Sequence, residues 1–216
     1  DEDAWDEVDD AYHRAEDKSA AVQWARDLLA WKFVILDTET TGKETDAEIV
    51  QIGIIDQDGT VLLDELLKPT QPIPPEVTVI HHITDEMVKD ARTFLEAYPR
   101  IKADLDGRRV VAYNREFDLR MLAQECQRHQ VAELDCLKPW APGSLPPDDC
   151  TMNQFAAFFG EWNDYHGNYR WQKLSTALRY FQIPLDTPAH SAISDCQATL
   201  AVIRKMAEYE KPRETN

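Results

Sequence analysis

Apolar positions follow two rhythms along this 216-residue chain, and the change from one to the other marks its elements. The run Phe33-Val34-Ile35-Leu36 and the branched apolar stretches that follow it predict strands at 32–37, 49–56 and 60–67, with Asp58-Gly59 as a hairpin turn between the last two. The links among these three are too short for crossover helices, so they are expected to run antiparallel. Pro69, Pro72, Pro74 and Pro75 punctuate a loop, after which Thr84-Asp85-Glu86-Met87 opens a helix. A strand is expected at 108–113, a helix at 118–129 carrying Leu119, Leu122, Ala123 and Cys126, and a further strand at 131–137. Helical spacing returns at Met152, Phe155, Ala156 and Phe159, and Trp171 with Leu174 is expected to pack the next helix. The last apolar face runs through Ala192, Ile193, Cys196, Ala198, Leu200, Val202, Ile203 and Met206. Strands alternating with helices in this way predict an α/β fold, a mixed central sheet flanked by helices.

Residues 1–30 differ from the rest. The first 27 hold ten acids against Arg14, Lys18 and Arg26, and read as an acidic N-terminal arm. It ends in a short amphipathic helix through Val22, Trp24, Ala25, Leu28 and Leu29, and reads as a solvated extension packed on the domain by Trp24, as an arm that repels non-specific nucleic acid, or as one that binds a basic protein partner. The domain proper is expected over 31–210, with 211–216 as a tail, and Pro139 to Asp149 is the longest irregular piece.

The formal net charge of -17 leaves no Lys/Arg block to track a duplex backbone. No stretch of eighteen apolar residues suggests a membrane helix. No basic-then-apolar leader precedes a small-residue cleavage site, and a start at Asp1 reads as trimming from a longer product. Cys126, Cys136, Cys150 and Cys196 are scattered without a Cys-x-x-Cys pair, which fits free thiols in a reducing cytoplasm and argues against zinc.

Against that acidic background, a few acids stand where burial should forbid them. Asp37 and Glu39 close the first strand two positions apart, so both point to one side of it. Like charges so close favour protonation unless a cation offsets them, and hard oxygen donors suit Mg2+ or Mn2+. Asn114 is placed to turn the chain after the 108–113 strand and cap the next helix, leaving Asp118 in its first turn. His190 and Asp195 are five positions apart, which on one helix separates them by about 140°. They converge only if His190 lies on the approach to the helix, kept extended by Pro184 and Pro188, and Asp195 inside it.

These residues resemble the motifs of the DEDD superfamily of 3'-to-5' exonucleases, in its histidine branch. Asp37-Thr38-Glu39-Thr40, followed by Thr41-Gly42, is similar to the first motif, Asn114-Arg115-Glu116-Phe117-Asp118 to the second, and His190-Ser191-Ala192-Ile193-Ser194-Asp195 to the third. The resemblance covers about residues 31–208 and implies a ribonuclease H-like fold. It also implies two Mg2+ or Mn2+ ions, held by Asp37, Glu39, Asp118 and Asp195, with His190 as general base and 5'-mononucleotides as products. The expected partner is the 3' end of a single-stranded nucleic acid. Substrate contacts are expected from Thr40, Thr41, Asn114, Phe117, His81 and His82, and from a rim at Tyr165 and Tyr169. One departure is His81-His82-Ile83-Thr84 where relatives often read His-Gly-Ile-Thr, which places an imidazole where the backbone is expected to pass the terminal nucleotide. The motifs leave DNA and RNA undivided; DNA is the expected substrate, RNA 3'-end trimming is the alternative, and a non-catalytic nucleic-acid or protein binding module of the same fold is the alternative from another class.

Overall fold

The computed structural model describes residues 2–138, 148–184 and 190–210, and of residues 2–13 only the backbone. Most of the proline-rich piece after Lys138, Pro188 and the 211–216 tail lie outside them. Strands β1 (Phe33–Thr40), β2 (Ile49–Asp56) and β3 (Val61–Leu66) form an antiparallel meander, and β4 (Arg109–Val111) joins β1 in parallel. The order β3-β2-β1-β4 is therefore the expected mixed sheet. The β2–β3 turn closes on Gly59 at φ 95°, while Asp56 Oδ1 accepts from the Asp58 and Thr60 amides. Strand β1 runs past the expected 37, so both of its acids lie within the strand.

Alternation along β1 builds the core on two faces. Phe33 and Ile35, with Ile55 and Val111, face a layer made by α1 (Glu2–Leu29), α6 (Thr151–Phe159), α7 (Leu174–Tyr180) and α8 (Ala192–Ala207). Val34 and Leu36, with Ile52, Ile54 and Leu63, face α4 (Phe94–Leu105) and α5 (Arg115–Arg128). Two short helices, α2 (Pro75–His81) and α3 (Asp85–Val88), lie between β3 and α4.

Several expectations are corrected. Residues 131–137 form no strand: Gln130 at φ 53° ends α5, and a 3-10 turn follows at Asp135–Leu137. Val131, Leu134 and Leu137 recur every third residue and pack into the α4–α5 core, while the place beside β4 goes to Cys150, bridged to Ala112. The helix opened by Thr84 is a single turn, and the long one starts at Phe94 behind a Thr93–Glu96 capping box. The proline loop holds α2, which starts with Pro75. The N-terminal helix is 28 residues rather than short. It is fastened by far more than Trp24: Ala21, Val22, Ala25 and Leu28 are buried against α6 and α8, and the Arg26 guanidinium donates to the Ala207 and Tyr209 carbonyls at 2.9 and 3.0 Å.

Candidate active site

Parity on β1 decides which way each acid points. Asp37 and Glu39 continue the face of Phe33 and Ile35, toward α8, and Thr38 takes the other face. Pairing with β4 ends at Ile35–Val111, so beyond it the β4-side edge of β1 has no strand partner among the described residues. Asp118 occupies that edge. Its Oδ1 accepts from the Thr38 amide at 3.0 Å and from the Thr38 hydroxyl at 2.8 Å, fixing a carboxylate of the first turn of α5 against the strand. Asn114 caps α5 by position and through its carbonyl, which accepts from the Phe117 amide at 3.0 Å; its side chain makes no capping bond, contrary to the expected cap.

Helix α8 brings the fourth carboxylate. Ser191 and Ser194 form a reciprocal capping pair that starts the helix, and Asp195 stands in its first turn. This end of α8 lies hard against β2 at Gly53, the residue paired with Asp37: a Cβ there would come within 2.7 Å of the Ala192 carbonyl carbon. The Gln51 side-chain carbonyl accepts from the Ala192 amide at 3.2 Å and the Cys196 thiol reaches the Gly53 carbonyl at 3.4 Å, so the helix end is both docked and tied. Gly53 and Gln51 escaped the sequence reading. Neither carries a motif, and only an isolated glycine in a strand hints at close backbone approach.

The result is a cluster in which Asp37, Glu39 and Asp195 each present a carboxylate oxygen, all within 4.8 Å of one another, with Asp118 beside them. Burial raises the pKa of Asp37 well above the usual range, and the charges of Asp118, Asp195 and Glu39 add to it. Glu39 rises to about 8, by burial and then by Asp195 and Asp118. Burial also raises Asp118 and Asp195, against the Thr38 hydrogen bonds in the first and the neighbouring His190 in the second. A protein pays such desolvation and repulsion only where something cationic relieves it, and three convergent carboxylate oxygens are the donor set of a hard divalent ion. His190 stands exposed just ahead of the Ser191 cap at φ 71°, the left-handed region a histidine seldom adopts, so approach and helix divide as expected.

The profile of the exonuclease family, RNase_T, matches residues 34–203. The chain belongs to that family, in its DEDDh type. The uncharacterized exonuclease CP81 of Escherichia phage 186 is 35% identical over 186 residues, covering 86% of this chain and 93% of that protein. DNA polymerase III PolC-type from Thermotoga maritima is 37% identical over 112 residues, which is 50% of this chain but 8% of the polymerase. Among solved structures, E. coli exonuclease I in complex with a dA16 oligonucleotide shares the fold at TM-score 0.64 and 18% identity, over 84% of this chain and 42% of that one.

Other expected contact residues of this DEDDh exonuclease divide. The Thr40 hydroxyl is spent on the Gly42 carbonyl and that of Thr41 accepts the Glu48 amide, so both shape the loop after β1. His81 is buried; its Nδ1 accepts from the Ile83 amide, and its Nε2 is unpartnered, near the Thr40 carbonyl but outside hydrogen-bond geometry. Burial lowers its pKa. His82 ends α2 in the left-handed region at φ 60°, its amide bonded to the Thr78 carbonyl. A glycine at this position would sit in that left-handed helix C-cap without strain. Phe117 packs on the α4–α5 core beneath the Arg120 guanidinium. The Tyr169 hydroxyl donates to Asp17 of α1 at 2.7 Å, and Tyr165, 89% exposed, stands edge-on to His166. Trp171, expected in the core, is exposed.

Proposed function

We propose that this chain is a metal-dependent 3'-to-5' exonuclease that removes 5'-mononucleotides from single-stranded DNA. The observation that carries the reading is the convergence of Asp37, Glu39 and Asp195 on one point, with Asp118 fixed beside it and His190 at the exposed edge. Asp37, Glu39 and Asp195 would hold one Mg2+ or Mn2+ ion, and Asp37 with Asp118 would help hold a second. Bound there, such ions lower the pKa of a water and stabilise the entering and leaving oxygens of a phosphodiester. His190 takes the proton of that water on its ring nitrogen, from a loop position that solvent reaches. Thr38 keeps the Asp118 carboxylate facing the cluster, and the Ser191–Ser194 cap with Gln51 keeps Asp195 there.

The choice of DNA is supported by the relative that is a DNA polymerase III, and the choice of a single-stranded end by the net charge of -17. A strand gripped at its end by metal ions needs no basic track along the duplex. Incubation of matched 3'-labelled single-stranded DNA and RNA with Mg2+, Mn2+ or EDTA tests the reading. Metal-dependent release of mononucleotides, faster from DNA, is expected; faster release from RNA would reassign the substrate, and no release from either would remove the activity.

A further inference from the structure

Trp171 is 64% exposed, although its place in the sequence suggested a core role. It lines a cavity of about 460 Å³ whose other walls include Asn114, Glu116, Leu119, Met152 and Asn153. We infer that this cavity receives an unpaired nucleobase of the substrate strand, upstream of the terminal nucleotide, stacked on the Trp171 indole. The inference rests on the exonuclease reading and adds a binding residue outside all of the motifs.

Continuity with the carboxylates is the first support. Asn114 lies four residues before Asp118 at the same helix start, about 6 Å along the axis, so one wall of the cavity is a single turn from a residue that borders the cluster. The second is that the chain on both sides of Trp171 is held in spite of its exposure. The Tyr113 hydroxyl, at the end of β4, donates to the Gln172 carbonyl at 2.8 Å, and the Gln172 amide group donates to Glu161 Oε2 at 3.0 Å and to the Arg170 carbonyl at 3.1 Å. The Arg170 amide in turn donates to the Glu161 carbonyl at 2.8 Å. Both chain neighbours of Trp171 are therefore tied down, and an indole displayed on a fixed backbone loses little freedom when a base stacks on it.

Charge selects the occupant. Glu116, Asp148 and Asp149 line the cavity, and the one cation among its described lining residues, Arg115, donates its Nε to the Val110 carbonyl at 2.9 Å. Such a wall disfavours a phosphate and favours the exocyclic amines of a base, with the Asn114 and Asn153 amides as further partners. Leu119 and Met152 supply apolar surface to the walls of the cavity. Stacking on a π-face tolerates every base, as an enzyme that shortens any sequence requires. Of the neighbouring hairpin's aromatic residues, Tyr169 is bonded to Asp17 and packs edge-on against Trp162.

The test compares an oligonucleotide with a mononucleotide. In Trp171→Ala, the Kd of a labelled single-stranded oligonucleotide, measured by anisotropy with Ca2+ in place of Mg2+, should rise by roughly 5- to 150-fold. The rise for a 5'-mononucleotide, which reaches only the terminal position, should be several-fold smaller. Trp171→Phe should recover most of the loss. Trp31→Ala removes another exposed tryptophan, at the far end of β1 from the carboxylates, and should leave both constants and the cleavage rate as in the wild type. Equal losses for both ligands, no loss for the oligonucleotide, or no recovery with Phe, in variants that melt like the wild type, would overturn the inference. A wild-type chain that binds the strand through Trp171 yet never cleaves it would leave the inference standing and remove the exonuclease reading.

Discussion

Glu39→Gln replaces one charged member of the carboxylate cluster by a neutral isostere, and its effect on stability follows from the electrostatics of the site. Burial and the charges of Asp195 and Asp118 raise Glu39 from the ordinary 4.5 to about 8. Without metal, the unfolded chain ionises this group near 4.5 while the folded chain keeps its proton until about 8. Stability is therefore highest below the lower value and falls as pH rises to the upper one, at about 1.4 kcal/mol per pH unit. By pH 7 the loss is about 3 kcal/mol, equivalent to about 6–12 °C in Tm for a chain of this size. Asp37, Asp118 and Asp195 are raised too and steepen the same slope. Thermal melts in EDTA at about pH 5 and about pH 8 should show wild type losing stability on the alkaline side and Glu39→Gln losing less. Added Mg2+ should then raise the wild type more than the variant, because it binds the folded state through this group. Melts that fall in parallel with pH, or an equal response to Mg2+, would refute the burial and repulsion assigned to Glu39.

Gly53→Ala should destabilise the fold by about 1–3 kcal/mol, as overpacking does, and should cut kcat by about 10²-fold by moving the end of α8 that carries Asp195; wild-type kcat would show that this contact gives way freely. His190→Ala should lower the rate by about 10²–10⁴-fold while Mn2+ titration finds affinity close to wild type, and a collapse of affinity would make His190 a ligand. His82→Gly should keep kcat/KM and leave Tm level or a few degrees higher, since glycine fits the left-handed cap at φ 60°, whereas a fall in Tm or a changed order of substrates would restore a contact role to the imidazole.

Much of this was legible in the chain because strong local rules agree with the fold. Phe33 to Leu36, Asp58-Gly59 and the apolar face from Ala192 to Met206 obey strand, turn and helix periods that packing did not overrule, and Asp37, Glu39 and Asp195 lie on those elements. The split between His190 on the approach and Asp195 in the helix followed from helical geometry, the prolines at 184 and 188, and the premise that the two residues meet at one centre. What escaped was set by tertiary context. Val131 and Leu134 fit a buried strand and a turn tucked under α4 equally well, and only the bridge from Ala112 to Cys150 decides between them. Trp171 looked like a core residue because its exposure depends on Tyr113 holding Gln172 from far along the chain. Gln51 and Gly53 position the site through contacts with Ala192, more than a hundred residues away, which no local pattern announces.

Digestion of a 5'-labelled linear single strand beside a circular single strand of the same sequence, by the wild type and by Asp37→Asn and Asp195→Asn, tests the site most directly. The wild type with Mg2+ should shorten the linear strand stepwise from its 3' end and leave the circle intact, EDTA should stop it, and both variants should be inactive yet folded. Cleavage of the circle, activity in EDTA, or full activity in either variant would contradict a metal-dependent 3'-end exonuclease built on these carboxylates.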